Sequence, residues 1–157
     1  MTAISAQDVT EMRASIEALN AEFAWLIDHK DGAGVTDLFT AGGVYDMSNR
    51  LYRGHAEITG FYDSRKARGR RAARHVFTNL RLVPESPARA SGTVILTLYA
   101  CDGEPPYPTA AILIADYNDI YVREPDGVWR YEYRTIVPVF GGVPVLAGPG
   151  SKPAQTG

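Results

Sequence analysis

The sequence predicts an α+β domain, with its helices first and its sheet last. Two patterns carry this. From Val9 to Ile27 apolar residues recur mainly at spacings of three and four, the period of an amphipathic helix. From Arg74 the period drops to two and stays there through four segments. A length of 157 residues adds that one core is expected.

Val9, Met12, Ile16, Leu19, Phe23, Leu26 and Ile27 form the apolar stripe of the first helix, expected over 7–30. Gly32 and Gly34 end it. A short second helix is expected over 35–39. Gly42 and Gly43 punctuate the chain, and 44–47 and 51–53 read as short strands around the turn Ser48-Asn49-Arg50. A third helix is expected over 56–67, with Ile58, Phe61, Tyr62 and Arg65 on one side. Long strands follow at 74–83, 93–101, 109–123 and 128–138. Turn chemistry separates them at 84–87, 102–108 and 124–127. Short connections favour antiparallel neighbours. The domain is expected to span 1–140. Residues 141–157, rich in Gly and Pro, read as a tail.

Composition narrows the function. An apolar fraction of 45% and a charged fraction of 22% are ordinary for a globular domain. No apolar run approaches the roughly 18 residues of a membrane span. Residues 1–9 lack a charged n-region and an apolar h-region, so a cytoplasmic location is expected. Cys101 is the single cysteine, which excludes an internal disulfide and a multi-cysteine metal site. Three scattered histidines lack metal-ligand spacing, so no metal is expected. A net charge of −2 argues against nucleic-acid binding. Arg65, Lys66, Arg68, Arg70, Arg71 and Arg74 still form a local basic run. It reads either as a solvated helix end or as an attractor for an acidic substrate.

Asp28 lies near the end of the first helix, beside its apolar stripe. A carboxylate there either has a partner or sits at the frayed helix end beside Lys30, the reading that periodicity alone favours. His75 opens the first long strand. The two-residue period places it on one face with Phe77 and Asn79, and places Val76, Thr78, Leu80 and Leu82 on the other. Paired, Asp28 would fix the tautomer of His75 and free one ring nitrogen to take a proton. His29 is turned about 100° from Asp28, and His55 is expected at the surface. Asp116 and Asp119 face opposite ways on the third long strand, so one of them points inward. A desolvated carboxylic acid there could donate to an oxyanion. Tyr99, Tyr117, Tyr121, Tyr131 and Tyr133 lie on the strands, mostly as packing.

These residues carry a resemblance. The stretches 23–31, 38–46, 53–54, Arg74-His75-Val76-Phe77-Thr78-Asn79-Leu80 and Asp126-Gly127-Val128-Trp129-Arg130 resemble the SnoaL-like group of the nuclear-transport-factor-like superfamily. That group includes scytalone dehydratase, bile-acid dehydratase and hexachlorocyclohexane dehydrochlorinase. The resemblance implies a cone-shaped barrel: a curved, mostly antiparallel sheet against about three N-terminal helices, with the pocket inside. It implies an Asp–His dyad at Asp28 and His75. It also implies a lyase without cofactor that removes water from a small cyclic, polyketide-like or steroid-like substrate. Asn79, Tyr45, Phe77, Tyr117, Trp25 and Tyr62 are the expected substrate-binding residues, with Tyr45, Asn79 and Tyr117 as candidates for the leaving-group acid. The wider superfamily offers two alternatives. One is an isomerase like ketosteroid isomerase, with Asp46 as base and Asp119 as acid, although Phe23 stands where its donor tyrosine belongs. The other is a non-catalytic role, as the small subunit of a ring-hydroxylating dioxygenase or as a ligand-binding protein. A homodimer or homotrimer is expected, formed through an outer sheet face carrying Ile112, Ile114, Ile120 and Val122.

Overall fold

A computed structural model describes residues 4–141. Helix α1 spans Ala6–Lys30. Ser5 caps it in a capping box with Asp8, satisfying two of the first backbone N–H groups. Met12, Ile16, Leu19 and Phe23 form its buried face. Asp31 ends it in the left-handed region, with φ of 52°. A single 3₁₀ turn follows at Val35–Leu38. Strands β1 (Phe39–Met47) and β2 (Arg50–Arg53) come next, and then helix α2 (Gly54–Ala67). The long strands are β3 (Arg71–Ser86), β4 (Arg89–Asp102), β5 (Leu113–Arg123) and β6 (Trp129–Gly141). The described residues thus hold two α-helices and a 3₁₀ turn where about three helices were expected. Four residues at Val35–Leu38 close one tight turn and no more.

The six strands form one curved, unclosed sheet in the order β2-β1-β6-β5-β4-β3. Every pairing is antiparallel except β1 with β6, which is parallel. Bulges interrupt the ladders of β1, β3 and β5–β6, and each adds bend and twist. Helix α1 packs mainly on β3, and α2 packs on β1. Val94, Leu96 and Leu98 of β4 meet Ala115 and Tyr117 of β5 and Tyr131 and Ile136 of β6 in the core.

Several strand ends differ from expectation: β1 begins at Phe39 rather than 44, β3 at Arg71 rather than 74 and β4 at Arg89 rather than 93. β3 runs on through Pro84 to Ser86, because it is the edge strand and proline needs no partner on its open side. β5 begins at Leu113 rather than 109, after a segment in which Pro105, Pro106 and Pro108 lack ladder N–H groups. β6 continues to Gly141, opposite Leu113, one residue past the expected domain limit. The rest of the expected tail, 142–157, lies outside the described residues. No helix among them is long and apolar enough to cross a membrane. Ile114, Ile120 and Val122 do alternate with the buried residues of β5 and stand on its outer face. Ile112 precedes the strand and packs against the core.

Candidate active site

The site lies inside the cone, in a cavity of about 260 Å³ between α2 and the inner faces of β1, β3, β4 and β5. His75 lines it. Asp28 stands behind His75, at the last turn of α1. One carboxylate oxygen, Oδ1, lies 2.6 Å from His75 Nδ1. The other, Oδ2, accepts the backbone N–H of His75 at 2.8 Å. Both side chains are largely covered, at 11% and 6% exposure. A carboxylate at a helix C-terminus meets the negative end of the dipole, so these two donors from β3 are what hold it there. An ionised carboxylate only accepts. The contact fits a neutral ring with its proton on Nδ1, a tautomer that leaves Nε2 unprotonated.

Opposite His75 the wall carries hydroxyls. Tyr45 from β1 and Tyr117 from β5 lie 2.9 Å apart, oxygen to oxygen. Tyr62 from α2 lines the same wall and couples to Tyr45. Gly32 makes room for it: with φ of 84°, a Cβ there would lie 2.2 Å from Tyr62 Cδ1. Burial pushes the Tyr45, Tyr62 and Tyr117 hydroxyls well above the ordinary phenol range. They are neutral donors at neutral pH.

Tyr121 and Tyr131, deeper in the core, are raised by burial as well. These five ionise in the unfolded chain near pH 10 and resist ionising in the folded one. Above that pH the unfolded state binds fewer protons, so stability is intact below about pH 10 and falls as the pH rises through it. In an alkaline titration their phenolate absorbance is expected to appear together with loss of near-ultraviolet circular dichroism. Graded ionisation of all nine tyrosines in the folded protein would contradict this.

Not every expected residue reaches the cavity. Asn79 is exposed. It sits in a β-bulge with φ of 56°, where the β3–β4 register slips between Thr78 and Arg81. The extra residue flips the alternation, so Leu80 and Leu82, not Asn79, continue the inward face of His75 and Phe77. Phe77 backs the Tyr117 ring at 5.5 Å instead of lining the cavity. Trp25 is 52% exposed and stacks on His29 outside α1. Two residues from Phe23 is 200° around a helix, so Trp25 must face away from the core. His55 is exposed and contacts the Phe39 carbonyl.

The two carboxylates of the isomerase alternative are placed elsewhere. Tyr45 and Met47 of β1 line the cavity, so Asp46 points to the other face, where it accepts from Tyr133 and from the backbone of Asn49. Asp119 does point inward, but both of its oxygens are held by Arg134 at 2.9 Å. Burial raises the Asp119 carboxyl and the guanidinium pulls it back. For Arg134, burial works against the charge and the Asp119 carboxylate more than offsets it. The pair is an ion pair and not a neutral acid poised to donate. Asn20 accepts from Arg134 Nη2 and Tyr121 donates to Asp119, while Arg134 Nη1 has no hydrogen-bond partner among the described residues.

Sequence reasoning missed Arg134 and Asn20. Arg134 is fully buried, ringed by Phe23, Phe77, Tyr117 and Tyr131, with its carbon 4.1–5.2 Å from their centroids. A bulge between Ile120 and Tyr121 shifts β6, so Trp129 and Tyr131 point inward and then Arg134 and Ile136 do. Among the described residues no three His, Cys, Asp or Glu side chains gather as metal ligands would.

Residues 8–135 match the family model described as the SnoaL-like domain. The chain belongs to the SnoaL-like family. Among solved structures, the SnoaL-like fold here resembles a protein of unknown function from Mycobacterium tuberculosis at 23% identity and TM-score 0.73, covering 88% of this chain and 78% of that one. It also resembles a scytalone dehydratase-like protein from Novosphingobium aromaticivorans at 15% identity and TM-score 0.75, covering 87% and 89%. A third likeness, from the same organism, is to the β subunit of a protein assigned as an aromatic-ring-hydroxylating dioxygenase, at 13% identity and TM-score 0.75, covering 88% and 95%. Identities this low carry the fold alone. A comparison with curated proteins returns no match.

Proposed function

We propose that this SnoaL-like protein is a cofactor-independent lyase that removes water from a small cyclic β-hydroxy ketone. The observation that carries the reading is the carboxylate-held imidazole, which lines one cavity together with Tyr45, Tyr62 and Tyr117. His75 Nε2 takes the proton from the carbon beside the substrate carbonyl. The electron pair of that C–H bond moves to the carbonyl oxygen, and a hydroxyl of the Tyr45–Tyr117 pair donates to the resulting enolate. The enolate collapses, the β C–O bond breaks, and the His75 imidazolium returns its proton to the leaving oxygen. Water departs and the dyad is restored.

The test is turnover of a β-hydroxytetralone, which loses water to give fluorescent naphthol. Wild-type protein is expected to accelerate naphthol formation. Asp28→Asn removes the carboxylate acceptor and so the preference for the Nδ1–H tautomer, and is expected to lower kcat by about 10²–10⁴-fold. Wild-type rates from Asp28→Asn would sink the mechanism. A large subunit that co-purifies with the chain in place of any turnover would favour the non-catalytic β-subunit role.

A further inference from the structure

The mouth of the cavity is cationic. Arg65 and Lys66 from α2, Arg68 just after it, and Arg71 from β3 all line it, against only two carboxylates, Asp31 and Asp102. Among Arg65, Lys66 and Arg71 the pairing is incomplete. Asp102 Oδ1 is shared, 2.9 Å from Arg71 Nε and 3.8 Å from Arg65 Nη2. Its side chain is 70% exposed, while that of Arg65 is 21% exposed. Water therefore screens the one shared carboxylate more than it screens the guanidinium. Lys66 makes no ion pair among the described residues. Burial lowers Arg65 most, Arg71 and Arg68 lower it further, and Asp102 and Asp31 act the other way.

The mouth connects to the dyad by register. The inward face of β3 reads Arg71, Ala73, His75, and across the ladder stand Asp102, Ala100 and Leu98 of β4. Two alanines face each other between the cation and the imidazole. They leave open the space that larger side chains would fill. Arg71 and His75 are four residues apart, about 13 Å along the strand.

We propose that the substrate carries a terminal oxyanion, held by Arg65, Lys66 and Arg71 at the mouth while its ring lies over Ala73 and Ala100 and its acidic carbon meets His75. The shared chemistry is an anionic oxygen group on a ring compound, whether carboxylate or phosphate. This rests on the lyase reading for the role of His75, but the anion site is tested without turnover.

The experiment is calorimetric binding of naphthoate, neutral naphthamide and naphthyl phosphate at low ionic strength. An anion is expected to bind at least about tenfold more tightly than the amide, with the preference largely lost near 1 M salt, where the screening length is about 3 Å. Whichever of naphthoate and naphthyl phosphate binds more tightly assigns the oxyanion. Lys66→Gln is expected to weaken the preference severalfold, and Arg65→Gln combined with Lys66→Gln to weaken it further, leaving only the share that Arg71 supplies. His75→Gln is expected to keep it. Equal binding of amide and anions overturns the proposal, as does a preference untouched by the double variant. A protein that prefers the anion but never dehydrates the tetralone would contradict the lyase reading and leave the anion site standing.

Discussion

His75→Ala is expected to lower kcat for water loss by about 10²–10⁴-fold, the usual contribution of a positioned general base, and to leave the fold intact. The fold should survive because the imidazole is not a hub of the core. It stands between Asp28 and the cavity, and after its removal the backbone N–H of residue 75 still donates to Asp28 Oδ2. Rate and stability should therefore separate. Urea unfolding is expected to show a small shift, while the kcat of the variant falls to near background. His75→Gln keeps a donor for Asp28 but supplies no base, so it should be as inactive as the alanine variant and more stable. Wild-type kcat in either variant would remove His75 from the chemistry.

Arg134→Met is expected to have the reverse profile, with a loss of about 3–5 kcal/mol of stability. The guanidinium and the Asp119 carboxylate are both fully covered, and its Nη2 donates to Asn20 as well. Four aromatic rings surround it. Methionine fills much of the volume but strands a carboxylate in that apolar shell. Total stabilities of domains are about 5–15 kcal/mol, so the loss would be a large share. Combining Arg134→Met with Asp119→Leu removes the stranded charge and is expected to recover much of it. The check is the urea midpoint at constant slope. A single variant within about 1 kcal/mol of wild type would show that the pair is not the charged keystone described above.

The dyad was legible because its two members sit where periodicities begin and end. Asp28 closes the apolar stripe of α1 and His75 opens the two-residue alternation, and neither position depends on what lies between. Tyr62 followed from its helical side with Ile58 and Phe61, whereas Tyr45 and Tyr117 were expected from the family resemblance and not from any phase. The place of Asn79 was not legible, because a one-residue bulge reverses every face beyond it, and no local composition announces the slip. Arg134 was hidden in the same way by the bulge before it. Trp25 was readable all along: the 200° from Phe23 already places it outside. The parallel β1–β6 pairing could not be read locally, since strand order beyond neighbouring hairpins depends on how the whole sheet closes.

The central claim is that Asp28 fixes His75 with Nε2 bare toward the cavity. Nitrogen-15 NMR of histidine-labelled protein at neutral pH tests it without any substrate. The neutral ring of His75 is expected to carry its proton on Nδ1, with that proton strongly deshielded by the 2.6 Å contact to Asp28, and to lose this signature in Asp28→Asn. A His75 protonated on Nε2, or one unchanged by Asp28→Asn, would contradict the account.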